Sequence, residues 1–185
     1  VLFRSELPAL EVAGNWHQIF TQTDTRERLE SLFPEYLHRS PWFAGKSRIM
    51  QSVTIAESIR IPLLDRETAI VLLNVEYTEG CPETYVALLA YAEDELARQI
   101  NTQLPSAVLA SVNVDGEEGV LFEASADQEF LTLPLDMIRN RRQYSGQHGS
   151  LTAIATDAIG NLDMSAEQLN PQLMREAAKN ALVVY

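Results

Sequence analysis

The sequence is poor in cysteine, in histidine and in positive charge. A single cysteine, Cys81, excludes an internal disulfide and is typical of a protein of the reducing cytoplasm, which is the compartment we expect. Its 14 Lys and Arg residues against 26 Asp and Glu give a formal net charge of −12, which argues against nucleic acid as a partner. The three histidines, His17, His38 and His148, are scattered, and no paired-cysteine spacing indicates a metal site. Residues 15–20 predict a short helical segment with Asn15 as its N-cap, and we interpret His17 as an exposed residue off the apolar face of this segment.

Long hydrophobic runs are also missing. No stretch approaches the ~20 apolar residues of a membrane-spanning helix, so we expect no membrane contact. The composition, 46% hydrophobic and 22% charged, is that of a globular protein with a sizeable core. We interpret the one local basic run, Arg139, Arg141 and Arg142, as the end of a helix, with an anion site as the alternative.

One stretch, residues 36–48, separates a helical pattern from a strand pattern. Pro41 favours an extended conformation at the residue before it, which ends the helix. Trp42 and Phe43 follow, and each buries a large apolar surface when packed inside. Gly45 then allows a close turn. This pattern predicts an aromatic plug between a helix and a sheet.

Three alternating segments follow this plug. The first predicts a strand from Arg48 to Ile61, with its apolar side chains on one buried face: Ile49, Val53, Ile55, Ile59 and Ile61. Residues 69–77 and 85–89 predict two more strands, and short turns between them indicate an antiparallel meander. The preceding helix, with Asp24 as its N-cap, is expected to kink or restart at Pro34. Together these elements predict an α+β fold.

The second half of the sequence predicts a further, smaller α+β unit. A connecting helix over residues 93–104 ends at Pro105, and we place a subdomain boundary there. Asp115-Gly116 between two apolar runs predicts a β-hairpin over residues 107–123. A helix over residues 127–142, kinked at Pro134 or divided there into two shorter helices, a short strand over residues 151–156 and a helix over residues 172–179 are expected to follow.

Two motifs resemble a known family. Residues 41–46 read Pro-Trp-Phe-Ala-Gly-Lys, and residues 75–85 contain Val-x-Tyr-x-x-Gly-x-Pro-Glu-x-Tyr. In this order, these motifs resemble the start of the maltokinase portion of bifunctional trehalose synthase/maltokinase proteins. The sequence of residues 1–14 predicts a tail or linker, and the resemblance implies a cystatin-like N-terminal cap of one helix and a curved antiparallel meander over residues 15–92. It also implies an intermediate, ATP-facing subdomain of a kinase N-lobe over residues 105–185, truncated at its C-terminus.

The resemblance implies where a nucleotide would bind. In the family, a phosphate loop reads roughly Gln-x-Asn-Thr-Ser-Val-Val-Tyr, and Asn180 matches its asparagine. Ala181 and Leu182 stand where the family has hydroxyl residues. The base and magnesium ligands of the family lie in a C-lobe, so the resemblance assigns this chain no catalytic residue and no metal ligand, and Asn180 alone as a cofactor-binding residue.

The implied function is that of a non-catalytic cap region within a larger enzyme. The full protein would use ATP and Mg²⁺ to phosphorylate maltose to maltose 1-phosphate in trehalose and α-glucan metabolism. Its partners would be the kinase C-lobe and a trehalose synthase domain in the same chain, and this segment alone would be inactive. The alternative is a stand-alone acidic protein-interaction module with a cap-like fold.

The turn between the second and third predicted strands carries three carboxylates, Glu76, Glu79 and Glu83. We interpret them as solvated loop residues, with a coupled acid/base pair as the alternative. Cys81 in the same turn is interpreted as a small packing residue, with a nucleophile as the alternative, because no basic residue lies beside it in sequence.

Overall fold

The computed structural model describes residues 8–63, 66–126, 128–156, 172–174 and 182–184. The described chain is an α+β fold, as predicted, in which helices cover a curled six-stranded sheet. Its helices are α1 (Thr23–Arg39), α2 (Asp94–Gln103) and α3 (Gln128–Arg139). The strands of the main sheet are β1 (Ala9–Val12), β2 (Met50–Leu63), β3 (Arg66–Tyr77), β4 (Glu83–Glu93), β5 (Val108–Val114) and β6 (Glu117–Glu123). Two small sheets pair β7 (Gln143–Ser145) with β8 (Ser150–Thr152) and β9 (Gln172–Met174) with β10 (Leu182–Val184).

The meander predicted from the three alternating segments is confirmed. Strands β2, β3 and β4 are sequential antiparallel neighbours at one end of a sheet with the order β1-β5-β6-β4-β3-β2. Among the described strands, only β1 pairs in parallel, with β5. None of the helices in the described part is long and apolar enough to cross a membrane.

Helix α1 continues through Pro34 as one element, so the predicted restart as a second helix is wrong, and the alternative, a kink, stays a prediction. Its apolar stripe is fully buried, with Leu29, Phe33 and Leu37 each 0% exposed. Burial on both sides of the proline offsets the loss of one backbone hydrogen bond. The helix also begins two residues earlier than predicted, at Thr23 with Gln22 as its N-cap, so that Asp24 lies in the first turn, where its charge interacts favourably with the helix dipole.

Strand β2 does not present one apolar face, because two residues in it have no partner on β3. Gln51 and Ala56 are each skipped in the pairing. An unpaired extra residue reverses the alternation of the side chains that follow it. Val53 and Ile55 therefore pack with α1, whereas Ile59 and Ile61 pack on the opposite face. The predicted single face is wrong, and Ile49, expected on it, is 72% exposed.

The sheet thus separates two cores. The first lies under α1 and the 3₁₀ helix Trp16–Phe20, and it includes the inward side chains of β3: Ala69, Val71, Leu73, Val75 and Tyr77. The second lies under α2 and α3 and includes Phe122, Phe130 and Met137. Both faces of the sheet are therefore covered. This explains why apolar residues occupy successive positions in β4 and do not alternate with polar ones.

The sheet also continues across the expected boundary at residues 93–105. The predicted hairpin is confirmed as β5 and β6, with Asp115 (φ 52°) and Gly116 (φ 99°) forming a turn that requires positive φ. Strand β6 pairs with β4, so these strands extend the first sheet instead of starting a second unit. Similarly, β1 lies within the predicted linker 1–14, yet it pairs with β5 and buries Leu10 and Val12.

The C-terminal predictions are met only in part. Helix α3 runs through Pro134 without dividing into two helices and ends at Arg139, the first residue of the basic run. The predicted strand at residues 151–156 is β8, shorter and paired with β7 from the expected loop. Residues 172–174 form β9 where a helix was predicted, and the rest of that predicted helix lies outside the described residues.

Ala56 offers a test of the face switch. Deleting this exposed residue should turn Ile59, Ile61 and Leu63 towards the wrong face, because one missing residue reverses every later side chain. We expect the deletion to lower the free energy of unfolding by more than ~3 kcal/mol in urea titrations. The substitution Ala56→Ser should stay within ~0.5 kcal/mol of wild type, as surface substitutions do. Equal midpoints for the deletion and wild type would contradict the register.

Candidate functional site

The two sequence motifs lie together in space, at the end of the sheet where a turn joins β3 to β4. Arg48 follows the first motif, and Tyr77, Glu83 and Tyr85 belong to the second. Together with Trp42 and Phe43 they form what we call the aromatic–carboxylate cluster. The meander brings them together, because Tyr77 ends β3, Glu83 begins β4, and Met50, next to the first motif, pairs with Tyr77.

The Glu83 carboxylate is the hydrogen-bonding centre of this cluster. Tyr85 Oη donates to Glu83 Oε2 at 2.5 Å, and Tyr77 Oη donates to the same oxygen at 3.0 Å. Arg48 Nη1 donates to Oε1 at 2.8 Å. The hydrogen bonds from Tyr85 and Tyr77, helped by the Arg48 charge, hold the pKa of Glu83 below its ordinary 4.5. Burial, together with the neighbouring carboxylate, raises the pKa of the Tyr85 hydroxyl.

Arg48 also ties down the turn between β3 and β4. Its Nη2 donates to the carbonyl oxygens of Cys81 at 3.0 Å and Glu79 at 3.3 Å. The guanidinium carbon lies 3.4 Å from the centre of the Tyr77 ring, a cation–π contact. One planar group with several fixed donors satisfies a carboxylate, two carbonyls and a ring at once, which the single ammonium of a lysine cannot do.

The aromatic residues of the first motif close the cluster from the side of α1. The Phe43 ring lies 4.9 Å from Tyr85, and Phe43 is only 3% exposed. The Trp42 ring lies 6.3 Å from Tyr85 and 6.1 Å from Tyr36, but Trp42 is only partly buried. The plug predicted between helix and sheet is therefore present, with Phe43 as its buried member.

The glycines of both motifs leave room for these contacts. A Cβ at Gly45 would lie 2.3 Å from Tyr77 Oη and 2.5 Å from Phe43 Cζ. Gly80 has φ +95°, and a Cβ there would lie 2.8 Å from Arg48 Nη2. The glycine of each motif thus makes space for a residue that belongs to the cluster, which explains why the two motifs form one structural unit.

The polar groups of the cluster bond to one another and so hold the two motifs together. Its carboxylate accepts three side-chain hydrogen bonds, and both tyrosine hydroxyls have raised pKa values. Among the described residues no group of three or more His, Cys, Asp or Glu side chains could hold a metal. Glu83 is exposed, as expected of a solvated carboxylate, but it lies at the start of β4 and not in the turn, and its oxygens are held by these three hydrogen bonds.

The other residues of the acidic turn have separate contacts. Glu76 accepts a hydrogen bond from the Ser52 hydroxyl at 3.0 Å, and Glu79 contributes its main-chain carbonyl to Arg48. The exposed Cys81 likewise contributes its carbonyl. These separate contacts argue against the coupled acid/base pair that was the alternative for the three carboxylates.

His17 is not the exposed residue predicted from the sequence. Its ring lies 3.9 Å from Trp16 and its Nε2 lies 3.3 Å from Glu67 Oε2, with 15% of the side chain exposed. Burial, and to a lesser extent the charge of Arg60, lowers its pKa to about 4. The tight 3₁₀ turn, capped by Asn15 as predicted, places this residue against the sheet.

Asn180, the one residue assigned to a cofactor, lies outside the described residues, as does Ala181. Leu182 lies in β10. Sequence reasoning did not identify Arg48 as a cluster residue, because it was assigned only to the start of a strand. Its partner Glu83 is distant along the chain, and no local pattern links the two.

Residues 36–127 match the family model described as the maltokinase N-terminal cap domain. The matched segment is about half of the chain, and it contains the whole aromatic–carboxylate cluster and strands β2 to β6. It crosses the boundary expected at residues 93–105, in agreement with the continuous sheet.

Phe43 and Trp42 should differ in their contribution to stability. Phe43→Ala should lower the free energy of unfolding by ~3–5 kcal/mol, as for a fully buried phenylalanine. Trp42→Ala should cost clearly less, because part of its ring is exposed. Urea titrations followed by far-UV circular dichroism measure both changes. A larger loss for Trp42→Ala would show that Phe43 is not the buried member of the plug.

Glu83 should stabilise the protein in a pH-dependent way. Its pKa is lower in the folded state than its ordinary 4.5, so its contribution is present above about pH 4.5 and is lost as the pH falls below that value. The urea midpoint of Glu83→Gln should therefore lie below that of wild type at pH 7 and approach it at pH 3. The exposed Glu118→Gln serves as a control that should match wild type at pH 7. A constant difference for Glu83→Gln at both pH values would contradict the cluster.

Proposed function

Residues 36–127 are a maltokinase N-terminal cap domain, and on this premise we propose that the chain is the non-catalytic N-terminal region of an enzyme that phosphorylates maltose with ATP. The observation that carries the proposal is the family match together with the aromatic–carboxylate cluster, in which both family motifs serve one structural purpose.

The proposed division of labour follows from what phosphoryl transfer requires. The anomeric hydroxyl oxygen of maltose attacks the γ-phosphorus of ATP, the bond to the β-phosphate oxygen breaks, and ADP leaves, while a base accepts the hydroxyl proton. Such a reaction needs bound magnesium and a positioned base. The carboxylate and the tyrosines of the cluster are engaged with one another, which favours a structural role for this segment. We propose that a C-lobe in the same protein holds ATP, Mg²⁺ and the base.

Two finer points belong to the proposal. The first is a fused trehalose synthase domain, which would interconvert maltose and trehalose beside the kinase. The second is a nucleotide contact at Asn180, made through main-chain N–H groups and the asparagine side chain, since Ala181 and Leu182 have no hydroxyl to donate. In the full-length protein, Asn180→Ala should then weaken ATP binding by about tenfold or less, as for one hydrogen bond.

The proposal is tested with the full reading frame expressed as one protein. Maltose with ATP and Mg²⁺ should give ADP and maltose 1-phosphate, detected by coupled assay and mass spectrometry. ATP alone, or glucose in place of maltose, serves as the control. The 185-residue chain under the same conditions should release no ADP.

Two outcomes would overturn the proposal. Maltose-dependent ADP release by the 185-residue chain would show that it is catalytic. A full-length protein that folds and has no maltose-dependent kinase activity would favour the acidic protein-interaction module instead.

A further inference from the structure

Glu57 is a buried carboxylate outside the aromatic–carboxylate cluster. It follows the unpaired Ala56, so the reversed alternation of β2 directs it to the face opposite α1, where it is 7% exposed. Four backbone N–H groups donate to it. Those of Ser58 and Gln147 bond to Oε1 at 2.8 and 2.7 Å, and those of His148 and Gly149 bond to Oε2 at 2.7 and 2.9 Å.

Three of these donors are consecutive residues of the loop between β7 and β8. Successive main-chain N–H groups that converge on one point form an anion-binding nest. The loop is closed by a hydrogen bond from Gly146 N to Gly149 O at 2.8 Å. A Cβ at Gly146 would lie 2.7 Å from the Glu57 carboxylate, so the glycine allows the close approach. The loop is therefore shaped around a carboxylate.

The main chain, not the side chains, makes this contact. The His148 ring is 72% exposed, and its Nδ1 lies 3.9 Å from Glu57 Oε2. Burial by itself raises the pKa of the Glu57 carboxyl, but the N–H groups of His148, Gln147, Ser58 and Gly149 outweigh it and lower the pKa below 4.5. The carboxylate is thus kept charged by fixed dipoles.

The hairpin depends on this contact because it is too small to be stable alone. Strands β7 and β8 have three residues each, and an isolated two-stranded hairpin is marginally stable at best. Only Tyr144 and Leu151 of these strands pack against the second core, and both are partly buried. The described residues add a backbone bridge between Ile59 and Gly146, a long hydrogen bond from Gln147 Nε2 to Ser58 Oγ at 3.5 Å, and the partly buried Ala153 that follows β8.

We propose that residues 146–149 form a carboxylate-binding site, that Glu57 fills it, and that this contact locks the β7–β8 hairpin onto the cap sheet. The hairpin lies beyond the matched segment 36–127, so the lock joins the cap to the region that follows it. A small free carboxylate such as formate is the ligand that fits the same N–H groups when the Glu57 side chain is removed. The inference does not depend on the proposed kinase activity.

Amide hydrogen exchange in the 185-residue chain tests the lock. In wild type the amides of Gln147, His148 and Gly149 should be protected. In Glu57→Gln these three amides should exchange about tenfold faster or more. Glutamine offers only one acceptor oxygen, and its NH₂ group would face the backbone N–H groups of the loop, which are donors as well. Glu76→Gln, which alters an exposed carboxylate of β3, is the matched control and should leave the three amides unchanged. Protection in Glu57→Gln equal to that of wild type would overturn the lock.

Chemical complementation tests the binding site itself. In Glu57→Ala, added formate should restore protection of the same three amides in a saturable way, whereas chloride at equal ionic strength should not. Formate should have no such effect on wild type, whose site is filled. Should Glu57→Ala fail to fold, the same titration is made on Glu57→Thr, which favours the strand and still leaves the position of the carboxylate empty. Faster exchange without rescue by formate would overturn the carboxylate site.

Discussion

The ion pair between Arg48 and Glu83 joins two segments that are distant along the chain, and the cap depends on that junction. Both side chains are partly exposed, at 28% and 44%, so the pair by itself is worth no more than ~1 kcal/mol. Its importance is geometric. Arg48 fixes the β3–β4 turn, Glu83 orients two tyrosines, and the rings of Tyr85 and Phe43 then meet under α1.

A second constraint is the count of residues in β2. One unpaired residue, Ala56, lets the same strand contribute to both cores, with Ile55 under α1 and Ile59 on the other face. It also directs Glu57 away from α1, towards the β7–β8 loop. On the edge of the sheet formed by β2, Arg26 of α1 donates to the Ile55 carbonyl oxygen, and Glu30 accepts from the Ile55 N–H group. These main-chain groups are therefore not free to pair with a further strand. The edge is therefore occupied by the protein itself around the bulge.

Local signals in the sequence were sufficient for much of this fold. Alternation predicted β3, Asp115-Gly116 predicted the β5–β6 turn, and Asn15 was recognised as a cap because each of these acts over a few residues. The face switch at Ala56 could not be predicted, since it depends on which residue of β3 lies opposite. The role of Arg48 depends on a partner in the second motif, and the burial of His17 depends on Glu67 and Trp16 together. Both motifs could be recognised in the sequence, but the contact between them is part of the tertiary structure and could not be predicted from either motif.

The central claim is that the two motifs form one interacting unit. A double-mutant cycle of Arg48→Met and Glu83→Gln, measured by urea unfolding at pH 7, tests it most directly. Residues of one hydrogen-bonded network should show a coupling free energy above ~0.5 kcal/mol, whereas the exposed Arg98–Glu95 pair of α2, treated in the same way, should show less. Strictly additive effects at Arg48 and Glu83 would contradict the account.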